Sequence, residues 1–203
     1  MSDRWVPLDV EDCSSSPFVQ FARWFDEAKG EMAEREAIAL ATATATGEPS
    51  LRMVLLRLVD DRSYGWYSNY ESRKGRELID NPRAAILWHN EARGRQVRVE
   101  GVVGKMTPAE SDTYFATRPR GSQLGAHASR QSSSISSRNV LDEAIRDFST
   151  VFEGRDVPRP TYWGGFRLLP NRFEFWQHRE SRLHDRVVYL PDADSWRVER
   201  QAP

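Results

Sequence analysis

Arg95-Gln96-Val97-Arg98-Val99-Glu100-Gly101 alternates polar and apolar side chains one by one. In an extended chain that period of two sends successive side chains to opposite faces, so the stretch reads as a strand running from Gln96 to Met106. Working outward, Ala84 to Asn90, Tyr64 to Tyr70, Leu51 to Val59 and Ala37 to Ala45 carry the same β-branched, alternating texture. Gly47-Glu48-Pro49 and Asp60-Asp61-Arg62 supply the turns between them. So many strands in so short a stretch predict a barrel.

Helices interrupt and flank the strands. Ser16-Pro17 is a start signal, with a hydroxyl to cap and proline at the first helical position, and Phe18, Phe21, Ala22, Phe25 and Ala28 follow at helical spacing toward Gly30. Glu71 to Asn81 reads as a short helix stopped by Asn81-Pro82. Pro108 to Thr117 and Asn139 to Phe152 are two more, and the stripe Val140, Leu141, Ala144, Ile145, Phe148, Val151 and Phe152 is expected to be core. Past Val157 to Pro160, strands are expected at Trp163 to Leu168, Phe173 to Gln177, Arg186 to Leu190 and Ser195 to Glu199. The expected fold is mainly β (α+β), with residues 1–15 a short N-terminal arm and 16–203 one domain, since 203 residues suit a single core. The serines from Ser132 to Ser137 form too short a run to separate domains.

Charge excludes some partners. Lys+Arg of 29 against Asp+Glu of 30 leaves a net charge of −1, so no global field draws the chain to nucleic acid or an anionic membrane. Any anion site must be local. The cations are almost all arginine, with only Lys29, Lys74 and Lys105 as lysines, a bias that codon usage explains as well as phosphate recognition does. Cys13 is the one cysteine, which excludes an internal disulfide. No apolar run approaches a membrane span and the polar start lacks a signal peptide's apolar stretch, so the cytoplasm is the default compartment.

The signatures of P-loop, dinucleotide-fold, zinc-protease and serine-hydrolase chemistry are missing, and His89, His127, His178 and His184 lack metal-ligand spacing. Five segments remain. Arg52-Met53-Val54-Leu55-Leu56-Arg57 is an apolar strand with a guanidinium at each end; an odd separation puts the two on opposite faces. Tyr67-Ser68-Asn69-Tyr70-Glu71-Ser72-Arg73-Lys74-Gly75 runs from a strand into a helix whose N-terminus, beside Arg73 and Lys74, suits a phosphate. Gln96 both donates and accepts, which suits the edge of a heterocycle. Tyr114 and Arg118 lie four apart, and Pro119 turns the chain so that Ser122 approaches the same point, a group fit for a phosphate monoester. Trp163-Gly164-Gly165 precedes Glu174-Phe175-Trp176-Gln177, and alternation then sets Arg182, His184 and Arg186 on one face. Each segment taken alone reads equally as a solvated strand face or an exposed helix end.

Together and in this order, the five segments resemble the pyridoxine/pyridoxamine 5′-phosphate oxidase family, whose fold is the FMN-binding split barrel of antiparallel strands with peripheral helices. The likeness runs from about Phe18 to Pro203. It implies FMN contacts from the strand 52–57 (Arg52, Met53, Val54, Leu55, Leu56, Arg57) and from Tyr67, Ser68, Arg73, Lys74, Gln96, Gln131, Ser132, Trp176 and Arg186. It implies Arg57, Tyr114, Arg118, Ser122, Arg182 and His184 around a small phosphorylated pyridine, with Arg182 and His184 over the reacting carbon. Implied too are a homodimer with FMN between its subunits, and hydride transfer from substrate C4′ to flavin N5 with O2 reduced to H2O2. The amine substrate would lose ammonia after hydrolysis of its imine.

Three departures from the family pattern stand out. Arg57 takes the place of a usual lysine, Trp88-His89-Asn90 replaces an aromatic-proline-aromatic turn and is expected to alter a loop, and the N-terminal arm looks short. The alternative function is a split-barrel flavin oxidase for another reduced heterocycle, such as a phenazine precursor. The presence of Tyr114, Arg118, Ser122, Arg182 and His184 argues against it, because a substrate without phosphate would not need that anion clamp.

Overall fold

The computed structural model describes residues 6–203. Its strands are β1 (Ala37–Ala43), β2 (Pro49–Leu55), β3 (Leu58–Val59), β4 (Tyr64–Asn69), β5 (Arg83–Asn90), β6 (Arg95–Lys105), β7 (Trp163–Gln177), β8 (Asp185–Asp192) and β9 (Ser195–Arg200). All pair antiparallel in one sheet of order β2-β1-β5-β6-β7-β4-β3, with β8 on β7 and β9 on β8. β2 and β3 lie at opposite ends of that order, yet only Leu56 and Arg57 part them in sequence, so the sheet must curl round on itself. Leu56 N–H donates to Glu36 O at 2.7 Å and Arg57 N–H to Gly65 O at 2.8 Å, which ties both ends together. The result is the split barrel that the resemblance implies.

Two strand expectations need correction. The stretch Leu51 to Val59 is broken at Leu56-Arg57, where the chain crosses from one end of the sheet to the other. Conversely, the two strands expected after Trp163 are one strand of 15 residues, β7. It pairs with β6 from Phe166 to Gln177, across a bulge at Glu100/Gly101 that takes Pro170 opposite Gly101. A Cβ on Gly101 would run into the Leu169 carbonyl, so glycine is required there. The expected altered loop at Trp88-His89-Asn90 is instead the end of β5; Trp88 is buried and its indole N–H donates to Arg35 O at 2.9 Å.

The helices are α1 (Pro17–Glu27), α2 (Arg73–Asp80), α3 (Pro108–Ala116), α4 (Arg120–Ala128) and α5 (Asn139–Val151). α1 begins at the expected place, although the Ser16 hydroxyl makes no capping bond. It buries Phe21, Trp24 and Phe25 on the sheet, with Phe21 edge-on to Tyr64 at 5.0 Å and Trp24 edge-on to Phe175 at 5.3 Å. Each such ring contributes about 2–3 kcal/mol through burial. α4 has no counterpart among the helices expected from the sequence, where Pro119 marks only a turn. The α5 stripe is not core: none of its residues is buried, and Val140 and Val151 are exposed. Ile145, Phe148 and Phe152 pack partly against a small second cluster of Phe115, Leu124, Val157 and Trp163.

α2 is anchored by a carboxylate. Glu77 is 4% exposed and accepts from Thr42 Oγ1 and Ser50 Oγ at 2.5 Å each and from Arg73 Nε at 2.8 Å, with Arg52 Nη2 at 3.5 Å. Burial alone would push its carboxyl up, but the bonds from Ser50, Thr42 and Arg73 and the Arg52 charge outweigh this and hold it at about 2. A carboxylate held down in this way stabilises the fold above its ordinary value, and the gain is lost as pH falls toward 2. Glu77→Gln is therefore expected to cost about 2 kcal/mol or more at neutral pH, a fall of roughly 4–8 °C in Tm. Calorimetry should show the gap between the two proteins closing below pH 4.5; a gap independent of pH would remove the electrostatic account.

Candidate active site

A cleft of about 650 Å³ opens where β2, β4, α3 and the start of α4 meet. Met53, Val54 and Leu55 come from β2, Tyr67 and Ser68 from β4, Lys74 from α2, Tyr114 from α3, and Ser122 from α4. Arg57, Thr117, Arg118, Pro119, Gln131 and Trp163 complete the lining. Three of these side chains are cations and none is a carboxylate. The expected turn at Pro119 is present, with Pro119 leading into α4, and it sets Arg118 and Ser122 on the same cleft.

One wall is aromatic. Tyr67 and Tyr114 stack with centroids 3.7 Å apart and planes 7° from parallel, and Tyr67 stacks on Trp163 at 5.5 Å. The Arg118 guanidinium lies over the Trp163 ring at 4.5 Å, and its Nη1 is buried without a hydrogen-bond partner among the described residues. Burial pulls its pKa below the ordinary value. Trp163 reaches this position because Gly164 follows it: a Cβ there would meet the Tyr70 hydroxyl. A buried guanidinium with a free N–H is the feature an anionic ligand satisfies.

Opposite lies a second polar group. Lys74 Nζ donates to Gln131 Oε1 at 2.8 Å, Ser68 Oγ donates to the same oxygen at 3.2 Å, and the Arg73 N–H donates to Ser132 Oγ at 3.1 Å. The sequence-distant pair Gln131 and Ser132 thus meets Ser68, Arg73 and Lys74 at the start of α2, whose Ser72 caps Gly75 N–H. Burial, with the Arg52 charge adding to it, pushes the Lys74 ammonium down to about 8. These donors and cations fit the phosphate end of FMN, and the Arg118 end fits a second phosphate.

Other expected site residues lie elsewhere. Arg52 turns away from the cleft to Leu40 O, Thr42, Ser50 and Glu77, and Leu56 is buried in the main core. Gln96, Trp176, Arg182, His184 and Arg186 do not line the cleft. Gln96 pairs with Trp176 across β6 and β7, Trp176 with Arg186 across β7 and β8, and the Trp176 and His184 rings are 4.5 Å apart. Arg186 is held by Glu174, through Nε at 3.0 Å and Nη2 at 2.9 Å. The expected common face of Arg182, His184 and Arg186 does not form: Ser181 and Arg182 are left-handed (φ 57 and 62) and break the strand period, so that β8 begins only at Asp185.

Trp163 and Trp176 stand at the two ends of β7, and thirteen steps of about 3.3 Å make the strand path between them on the order of 40 Å. The Trp176 group forms no part of the cleft lining in one chain. Glu77 reads in the sequence as an ordinary charged helix face, and neither Thr117 nor Trp163 carries a local signal of a place in the cleft. The pairing of Glu77 with Arg73 at i, i+4 was the available signal.

Comparison with known proteins agrees with this layout. Residues 25–152 match the pyridoxamine 5′-phosphate oxidase family model, and residues 163–203 match the C-terminal dimerisation region of pyridoxine 5′-phosphate oxidase. Pyridoxine/pyridoxamine 5′-phosphate oxidases from Ralstonia pickettii and Rubrobacter xylanophilus are each 52% identical over 97% of this chain, covering 93% and 91% of those proteins. Among solved structures, PhzG from Burkholderia lata in complex with tetrahydrophenazine-1-carboxylic acid superposes with a TM-score of 0.91 at 30% identity, over 98% of this chain and 100% of that one. A pyridoxamine 5′-phosphate oxidase-related, FMN binding protein from Nostoc punctiforme shares the fold, with a TM-score of 0.73 at 15% identity over 94% of this chain and 100% of that one. The chain belongs to the pyridoxine/pyridoxamine 5′-phosphate oxidase family.

Proposed function

We propose that the protein oxidises pyridoxine 5′-phosphate and pyridoxamine 5′-phosphate to pyridoxal 5′-phosphate, using FMN held between two copies of the chain. The carrying observation is the cleft lined by Arg57, Lys74 and Arg118 with no carboxylate, in which Arg118 Nη1 lacks a partner. Bound FMN supplies two-electron oxidation, with O2 as the final acceptor and H2O2, plus ammonia from the amine, as by-products.

The chain's own residues bind and orient. Lys74, Ser68, Gln131, Ser132 and the Arg73 N–H hold the cofactor phosphate, while Arg118, Ser122 and Tyr114 hold the substrate phosphate and Arg57 adds charge at the mouth. The Tyr67-Tyr114-Trp163 wall keeps water from that side. Gln96, Trp176, Arg182, His184 and Arg186, absent from the cleft lining in one chain, complete it from a second copy. The match of residues 163–203 to a dimerisation region supports this, since those residues carry four of the five.

The high structural similarity to PhzG keeps a second reading in view, a reduced phenazine-type acid as substrate. With the Lys74 group taken by the cofactor phosphate, either substrate has one group left to it, and the phenol, guanidinium and hydroxyl of Tyr114, Arg118 and Ser122 suit the several oxygens of a phosphate monoester better than the two of a carboxylate. Purified protein should be a yellow dimer that turns over pyridoxine 5′-phosphate with peroxide release and leaves a reduced phenazine acid unchanged. Turnover of neither phosphorylated vitamer rejects the main reading even with flavin bound.

Two further outcomes follow from the cations. Arg118→Met should raise KM for the phosphorylated substrate by about 10- to 100-fold, the worth of a charge-assisted bond, with flavin content kept; loss of flavin instead would move Arg118 to the cofactor. Lys74 binds an anion only when protonated, and its ammonium is lowered to about 8. FMN affinity should thus weaken above about pH 8, by about tenfold per pH unit at most. Fluorescence titration should show that fall in the natural protein and not in Lys74→Arg.

A further inference from the structure

The chain between β7 and β8 reverses sharply. Glu180–Arg182 forms a single 3-10 turn in which two consecutive non-glycine residues, Ser181 and Arg182, take left-handed backbone angles. Such residues cost roughly 1 kcal/mol or more each, so the turn persists because its surroundings hold it. Its product is one hydrogen bond: the Arg179 N–H donates to His184 Nδ1 at 3.1 Å.

A backbone N–H only donates, so Nδ1 must offer its lone pair, and a proton on Nδ1 would set two donors face to face. The neutral ring then carries its proton on Nε2 and has no second lone pair to offer. The charged and titratable groups around it are His178 and Arg179 from just past β7, Arg182 from the turn and Asp185 from β8. Only Asp185 favours an imidazolium, and its oxygens already accept from the Leu8 N–H at 3.1 Å and Arg200 at 2.9 Å, with Arg179 Nε 3.7 Å away. Burial, His178 and Arg182 pull the imidazole below its ordinary value.

We propose that this turn fixes His184 as the neutral Nε2–H tautomer, so that it meets the substrate as a hydrogen-bond donor and does not serve as a base. The tautomer stands on the turn's geometry, and the donor role rests on the function proposed above. Arg179 and Ser181 are positioning residues for it, since neither needs to touch the substrate.

The test is long-range 1H–15N correlation spectroscopy on purified protein with 15N-labelled histidine, with and without FMN, His184 being assigned by its loss in His184→Gln. The expected spectrum is the Nε2–H tautomer at pH 7, with any titration below the ordinary histidine value of 6.5. An Nδ1–H pattern, or titration at or above that value, overturns the proposal. In stopped-flow reduction, His184→Gln, whose amide reaches the Nε2 position, should lose about tenfold or less, and His184→Asn, which reaches only Nδ1, about 100-fold or more. Equal losses would overturn the donor role. If the natural protein oxidises neither vitamer, the function falls, while the spectra still decide the tautomer.

Discussion

Backbone pairing along β7 is the constraint on which the rest depends. One edge of this strand is taken by β6 from Phe166 to Gln177; the other is shared, with β4 on the first part and β8 on the last. The change of partner falls at the Gly101/Pro170 bulge, and past it β7 carries the C-terminal hairpin while Phe173 and Phe175 stay in the main core. Trp163 stays with the cleft and Trp176 goes with the hairpin.

Charge is distributed on the same plan. Most arginines are spent on structure: Arg95 on Glu27, Arg186 on Glu174, Arg159 on Asp112, Arg52 and Arg73 on Glu77. Against that background the cleft is the exception, with Arg57, Lys74 and Arg118 facing open space and no acid among the lining side chains. A chain of net charge −1 can hold such a local field because it is confined to one concave surface. Glu77 sits just behind it, holding α2 in place through its hydroxyl and guanidinium contacts.

Much of this was readable from the residues. Alternation located the strands, and the convergence of Tyr114, Arg118 and Ser122 on one cleft was legible because a helix end and a proline turn have short-range geometry. What failed was long-range. Leu55-Leu56-Arg57-Leu58 keeps its apolar texture across a crossing between sheet ends, so the break left no mark. Leu169-Pro170-Asn171 looks like a turn, because nothing local reveals that Asn171 is the extra residue of a bulge within a continuous strand. The α5 stripe has the right period for a buried face, but period does not say what covers it. Alternation at Arg182, His184 and Arg186 assumed an extended backbone that the left-handed pair denies.

The pairing of β4 with β7 joins Tyr64 to Leu168. During synthesis the early strands therefore emerge with one margin of β4 unmet, and they wait for roughly the next hundred residues before it can be closed. Over that interval the nascent chain presents a bare ladder of amides and carbonyls to its neighbours on the polysome. Residues 163–168 thus decide when residues 64–69 become safe from aggregation.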